Sequence, residues 1–282
     1  MGGAAATNSL RAEVIVDHGV LLLGDAGVVK GVNTVGSLTL RDGTLNYTNM
    51  YNEPYGFLKV ARVFRLQGTE PYVFEGSTLS GCFMLLNAFP LTTFEVDDIT
   101  ADTEPDATFH FPFKNHPSST AACGLIKDGV GTMRVTATST YIGETIVSNG
   151  TLQVDGSLNA SSLLAVEEGG WLGGTGTVKN VTVKPGGGFD VIQGQAKPLT
   201  VTGALSLEGG GTVRIQNPGG LPGRGIQVAL AVVAGVISGA ENAVFWTVEI
   251  EGVEPSVNYN LRVVDNQLVA GFAPQGTVIS VR

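Results

Sequence analysis

The sequence predicts an all-β chain, a right-handed parallel β-helix closed by a C-terminal β cap, and three observations predict it. Helical periodicity is nearly absent, while short runs of Val, Ile, Leu and Thr alternate with Gly, Asn and Asp. From Gly129 onward the punctuation is regular: Asn149-Gly150, Asp155-Gly156, Gly169-Gly170, Gly173-Gly174, Gly186-Gly187-Gly188 and Gly209-Gly210-Gly211. Gly supplies 40 of 282 residues, yet 12 Pro and 43% apolar residues exclude collagen and low-complexity disorder, leaving a globular or solenoid chain.

Corners this close together are too tight for an immunoglobulin sandwich. They fit coils of about 20 to 25 residues, each of which hydrogen-bonds its backbone to the coils above and below. Strands are expected over 12–16, 37–40, 132–136, 145–147, 151–154, 177–183, 199–202 and 212–215. Alternation within 151–154 requires one buried face, so Ile146, Val147, Leu152, Val154, Val178 and Val181 are read as including the inward ladder, with Thr145 and Gln153 facing out.

The chain divides into four stretches. Residues 1–48 read as early coils, 49–123 as an elaborated region holding most aromatics, Pro and His, 124–215 as regular coils, and 216–282 as a capping β region. The cap is expected from the longer strands 244–250, 259–264 and 268–272, because a solenoid has to cover its open end.

Sixteen Lys+Arg against 25 Asp+Glu give a net charge of −9 with no basic cluster, which argues against nucleic acid as a partner. No apolar run approaches the roughly 18 residues of a membrane-spanning helix, and the amphipathic strands of a membrane barrel are missing, so no membrane insertion is expected. The start, Met1-Gly-Gly-Ala-Ala-Ala, lacks the regions of a signal peptide. Cys82 and Cys123 rule out CxxC chemistry and leave either one disulfide or two free thiols.

Gly124-Leu-Ile-Lys-Asp-Gly-Val-Gly-Thr-Met-Arg-Val, followed by Ser139-Thr-Tyr-Ile-Gly-Glu-Thr-Ile-Val-Ser-Asn-Gly-Thr-Leu-Gln-Val, resembles the autotransporter-associated β-strand repeat of bacterial surface proteins. Residues 166–183 resemble the next coil of that family, and the likeness departs after Pro185, where three glycines and Phe189-Asp190 intervene. The resemblance implies an extracellular or cell-surface β-helical passenger and implies nothing about catalysis.

Glu95, Asp97, Asp98, Asp102, Glu104 and Asp106 form the densest polar cluster. Hard oxygen ligands suit Ca²⁺, and Asp97, Asp98, Asp102 and Glu104 are the candidate site, although the spacing reproduces no EF-hand; a solvated loop or a glycosidase acid pair are the other readings. Outside that candidate, no cofactor and no catalytic residue is expected. His110, Lys114 and His116 match no zinc-enzyme spacing, and Phe109, Phe111 and Phe113 read as one half-buried strand. Tyr141, Trp171 and Trp246 are read as packing residues, Tyr141 over a coil edge.

The expected function is therefore a non-enzymatic surface β-helix: a stalk, an adhesin passenger or a self-assembling filament subunit. Partners would be a surface or glycan ligand, or other copies joined head-to-tail through 7–16 or 276–282. The rival is a carbohydrate-active β-helix enzyme, which needs carboxylates and basic residues on successive coils. From 129 to 215 the outward positions read mainly as Thr, Ser, Asn and Gln, which ranks the enzyme second.

Overall fold

The strands stack rung upon rung into parallel sheets that the chain visits in turn, because a strand of three to five residues has no partner but its counterpart one coil away. The computed structural model describes residues 8–22, 31–46, 56–75, 83–86, 91–100, 104–115, 121–216, 227–252 and 259–272. The first sheet runs from Gly31–Arg41 through Val63–Gln67, Thr92–Val96, Leu125–Asp128, Thr145–Val147, Leu164–Val166, Val181–Val183 and Leu205–Leu207 to Ile237–Ser238. The second begins at Tyr72–Phe74 and Ala107–Phe109 and continues through Thr132–Val135, Gly150–Val154, Gly170–Gly173, Gly188–Ile192 and Thr212–Gln216 to Thr247–Ile250. The third stacks Ser157–Leu158, Thr177–Val178, Leu199–Val201 and Gln227–Val233. A parallel β-helix is the result. Asn8–Asp17 pairs in parallel with Gly31–Arg41, and Val20–Leu22 with Thr44–Asn46 forms a separate two-stranded sheet.

The cap is an antiparallel hairpin. Tyr259–Val264 folds onto Gln267–Phe272 around Asp265 and Asn266, whose φ values of 47° and 58° suit a tight hairpin turn, and the second strand pairs antiparallel with Gln227–Val233. The expected strand over 244–250 is corrected at its start: Ala240–Phe245 is a 3-10 turn, and Thr247–Ile250 stacks in parallel on Thr212–Gln216 as a further rung. Likewise 177–183 is two strands, since the chain turns at Lys179 and Asn180. The glycine run at 186–188 leaves the stacking intact, with Leu172 opposite Phe189 and Phe189 opposite Val213. Parallel pairing also crosses residue 123, joining Thr92–Val96 to Leu125–Asp128.

Inward positions form continuous ladders. One reads Thr92, Leu125, Thr145, Leu164, Val181, Leu205, Ile237, and the next inward row reads Phe94, Lys127, Val147, Val166, Val183, Leu207. Ile146 lies between them and points outward, whereas Thr145 is fully buried. Thr145 is therefore no surface threonine: its Oγ1 lies 2.5 Å from the Tyr141 hydroxyl and 3.0 Å from Ser161 Oγ, which donates to the Gly143 carbonyl at 2.8 Å. Tyr141 sits inside this network, wholly buried, and its burial pushes the phenol well above its ordinary value. Gln153 is buried too, so the strand Gly150–Val154 shows no alternation in exposure although its side chains alternate in direction.

In the 49–123 stretch the ladder is aromatic. Phe64 stands opposite Phe94 and Phe74 opposite Phe109, with ring centres 5.8 Å and 4.6 Å apart. Phe109 and Phe113 belong to different strands, with buried Phe111 at the corner between them, which replaces the single half-buried strand expected there. Cys123 is a buried free thiol, and Cys82 lies outside the described residues.

Lys127 breaks the apolar ladder. It is fully buried, and its three ammonium protons match three acceptors: the carbonyls of Asp128 at 2.9 Å, Gly129 at 2.7 Å and Asn149 at 3.0 Å. The ammonium thus ties one corner to the corner of the following coil, where Gly150 takes φ 66° and a Cβ would lie 2.4 Å from the Gly129 carbonyl. Burial pulls the Lys127 pKa from 10.5 to about 7, against Asp128 and Asp106, which pull it upward.

Between pH 7 and 10.5 the unfolded chain holds more protons at this site than the folded one, so stability rises with pH across that window, and on acidification the loss is complete once pH reaches about 7. Urea unfolding of the wild type and Lys127→Met at pH 6.5, 8.5 and 10 (roughly spanning that window) should show the difference between them shifting in favour of the wild type as pH rises. A flat difference would mean that the three carbonyls hold the proton on at its ordinary pKa.

Candidate functional site

The outward side of the second sheet carries two ladders of its own. One reads Thr132, Thr151, Trp171, Gly188, Thr212, Thr247, and the other Arg134, Gln153, Gly173, Asp190, Arg214, Glu249. Two outward positions are glycines, and each admits a neighbour. A Cβ on Gly188 would lie 2.6 Å from the Trp171 ring, which therefore reaches over the next rung. A Cβ on Gly173 would meet the Asp190 carbonyl at 2.3 Å.

Over this face lies a groove of about 420 Å³, lined from Asp98 and Asp106 at one end, past Thr151, Asp190, Arg214 and Gln216, to Glu249 and Glu251 at the other. Asp190 sits in its floor and is only 7% exposed. Its carboxylate accepts from Gln216 Nε2 at 3.2 Å on both oxygens and from Thr151 Oγ1 at 3.4 Å. Burial raises its pKa, while Arg214, Thr151 and Gln216 work to lower it. The Arg214 guanidinium lies 3.4 Å above the Trp171 ring centre, a cation–π contact. A carboxylate ringed by amide, hydroxyl and guanidinium groups is equipped to bind hydroxyls or amines.

The residues singled out in the sequence take different places. Glu95 pairs with Arg65 at 2.9 Å on the outside of the first sheet, and Asp97 accepts from Gln67 at 3.2 Å. Asp98 is exposed at the groove's edge, Glu104 is exposed, and Asp102 lies outside the described residues. Asp106 is buried and committed to the backbone: Oδ1 accepts from the N–H of Ile99 at 2.7 Å and Thr100 at 2.8 Å, and Oδ2 from Thr132 at 2.6 Å. Among the described residues no three acidic, His or Cys side chains gather where they could hold a metal ion. His110 is exposed with Nδ1 2.8 Å from Thr136 Oγ1, and His116 lies outside the described residues. Trp246 packs, its Nε1 donating to the Gly209 carbonyl at 2.8 Å and its ring 5.9 Å from that of Phe189. Asp190, Arg214 and Gln216 escaped the sequence reading, which saw polar neutral residues on this face; the signal was Asp190 itself, two residues beyond a glycine run.

Residues 125–154 match the family model of the passenger-associated transport repeat. That stretch holds Lys127, the Tyr141–Thr145 network and the rungs on either side. The chain carries an autotransporter passenger repeat. In the curated proteins, the passenger is similar to the neisserial autotransporter lipoprotein NalP of two strains of Neisseria meningitidis serogroup B, 32% identical over 125 residues. The match covers 43% of this chain and 11% of the relative, so the passenger spans a small part of the length of the curated relatives it matches. No solved structure matches it. Both likenesses support a bacterial surface passenger, extracellular or at the cell surface. Among the described residues no helix is long and apolar enough to cross a membrane.

Asp190 offers a direct check on the groove. A carboxyl whose folded pKa lies above 3.8 binds more protons folded than unfolded, so its ionisation costs stability that is regained as pH falls toward and below that range. Thermal melts of Asp190→Asn should therefore show a variant at least as stable as the wild type at pH 7, with the gap closing toward pH 4. A variant less stable at pH 7 would make Asp190 a structural acceptor like Asp106.

Proposed function

We propose that this passenger is a non-enzymatic structural stalk that holds the rest of a surface protein away from the cell. The observation that carries the reading is the unbroken register of the first sheet, in which Leu125, Thr145, Leu164, Val181 and Leu205 follow one another coil by coil. A stalk needs length and stiffness, and both come from repetition of one rung at about 4.8 Å per coil. The corners supply the stiffness. Asp155 accepts from Thr175 N at 2.9 Å and Oγ1 at 3.1 Å one coil on, while its other oxygen takes Arg134 Nε at 2.6 Å. Asp42 receives Thr69 N at 2.6 Å and Oγ1 at 3.2 Å in the same way.

A stalk is a modular object, so one coil should be removable. Deleting residues 145–163 joins Glu144 to Leu164, the residue that stands opposite Thr145. In the full-length surface protein the shortened chain should still be displayed on intact cells, resist protease and melt cooperatively, with the rod about 5 Å shorter by small-angle scattering. Loss of display or of protease resistance would contradict a modular stalk.

A further inference from the structure

The stalk reading leaves the groove over the second sheet without a task. Its floor is built at a cost: Asp190 is a carboxylate more than nine-tenths buried, on the outward side of a sheet, where an apolar or neutral residue would serve the fold as well. It supports no corner and caps no strand; its side-chain partners, Thr151 and Gln216, are themselves outward groups at the groove. Two outward glycines make room for this arrangement, one beside Asp190 and one under Trp171. We propose that the groove binds a linear oligosaccharide carrying protonated amines.

Shape argues for a chain-like ligand. The groove crosses the rungs from Thr132–Val135 to Thr247–Ile250, five inter-strand steps, or about 24 Å at roughly 4.8 Å each. Charge argues for amines. Asp98, Asp190, Glu249 and Glu251 line it against the single guanidinium of Arg214, so a polyanion such as a uronic acid chain is repelled. These carboxylates are spread along the groove and, among the described residues, none belongs to a cluster able to hold a metal ion, which favours charges repeated along a ligand over one point cation. Arg214, the exposed cation of the lining, rests on the Trp171 ring beside the groove, so a ligand that draws Arg214 away changes the surroundings of Trp171.

Hydrogen bonding separates a sugar from other polycations. The hydroxyl of Thr132 and the oxygens of Thr151 and Gln216, whose donors are already engaged with Asp190, stand among the carboxylates and can pair with ring hydroxyls, which the methylene spacers of a polyamine cannot do. A basic peptide binds best along a sheet edge through its backbone, and this groove lies over a sheet face whose backbone groups are paired within the sheet.

The test is titration of the intact passenger, followed by calorimetry and tryptophan fluorescence in about 0.15 M salt, where non-specific surface attraction is screened. The probes are hexamers of glucosamine, N-acetylglucosamine, galacturonate and lysine. Glucosamine hexamer alone should bind saturably and change the Trp171 emission. Asp190→Asn and Glu249→Gln should each weaken it by about tenfold, the worth of one charge-assisted hydrogen bond. Glu144→Gln, an exposed carboxylate outside the groove, should leave binding unchanged. The proposal is overturned if the wild type binds no glucosamine hexamer, if both groove variants bind it as well as the wild type, or if N-acetylglucosamine or lysine hexamers bind equally. Because the stalk reading is tested by display and rod length, failure of one proposal leaves the other standing.

Discussion

Every rung of this passenger depends on the rung beside it for its backbone hydrogen bonds. A strand such as Thr145–Val147 is too short to stand alone, and it pairs on one side with Leu125–Asp128 and on the other with Leu164–Val166. An unpaired buried peptide group costs more than a typical side-chain interaction contributes, so the pairing dictates the fold and the side chains adapt to it. That constraint explains why the interior tolerates Thr145, Tyr141 and Ser161: once the rungs are fixed, a polar group inside them need only find another, and these three find one another. It explains the ends as well, where the antiparallel hairpin of Tyr259–Val264 and Gln267–Phe272 supplies the partner that Gln227–Val233 requires.

Lys127 shows the same constraint acting on a corner. Corners expose carbonyls that no neighbouring strand claims, and an ammonium with three donors gathers three of them from two successive coils. Removing a charge from water is costly, and full coordination by carbonyls is what makes it tolerable. Other corners use carboxylates in the mirror role, the half-buried Asp155 and Asp42 taking up backbone N–H groups of the next coil. Carbonyls are thus gathered by a buried cation, and N–H groups by acidic side chains, half-buried at Asp155 and Asp42 and fully buried at Asp106.

Much of the architecture was legible from Gly129 to Ile215 because corner glycines and inward Val and Leu recur at matched places in successive coils, Leu152 over Leu172 over Phe189 among them. Inside and outside were harder to tell apart. Ile146 and Thr145 exchange the places their hydropathy suggests, because Thr145 has Tyr141 to satisfy it and the strand's direction is set by Leu164 on the next rung. The 49–123 stretch concealed its regularity since its coils carry long insertions and stack Phe64, Phe94 and Phe109 where later coils stack Val and Leu. The groove was invisible for a different reason: Thr151, Asp190 and Arg214 lie in three separate coils, and only the register of the second sheet brings them to one face.

Coils hold one another through backbone pairing, and five equivalent amides report on it. The N–H groups of Leu125, Thr145, Leu164, Val181 and Leu205 each donate across to the next coil, to Glu144, Leu163, Asn180, Ala204 and Val236, at 2.8 to 2.9 Å. Native-state hydrogen exchange measures the opening free energy of each. Mutual support predicts that the central three, Thr145, Leu164 and Val181, open together at one free energy within about 1 kcal/mol of that for global unfolding. Rapid exchange of any of these three while its neighbours stay protected would mean that single rungs open alone, and would contradict the account.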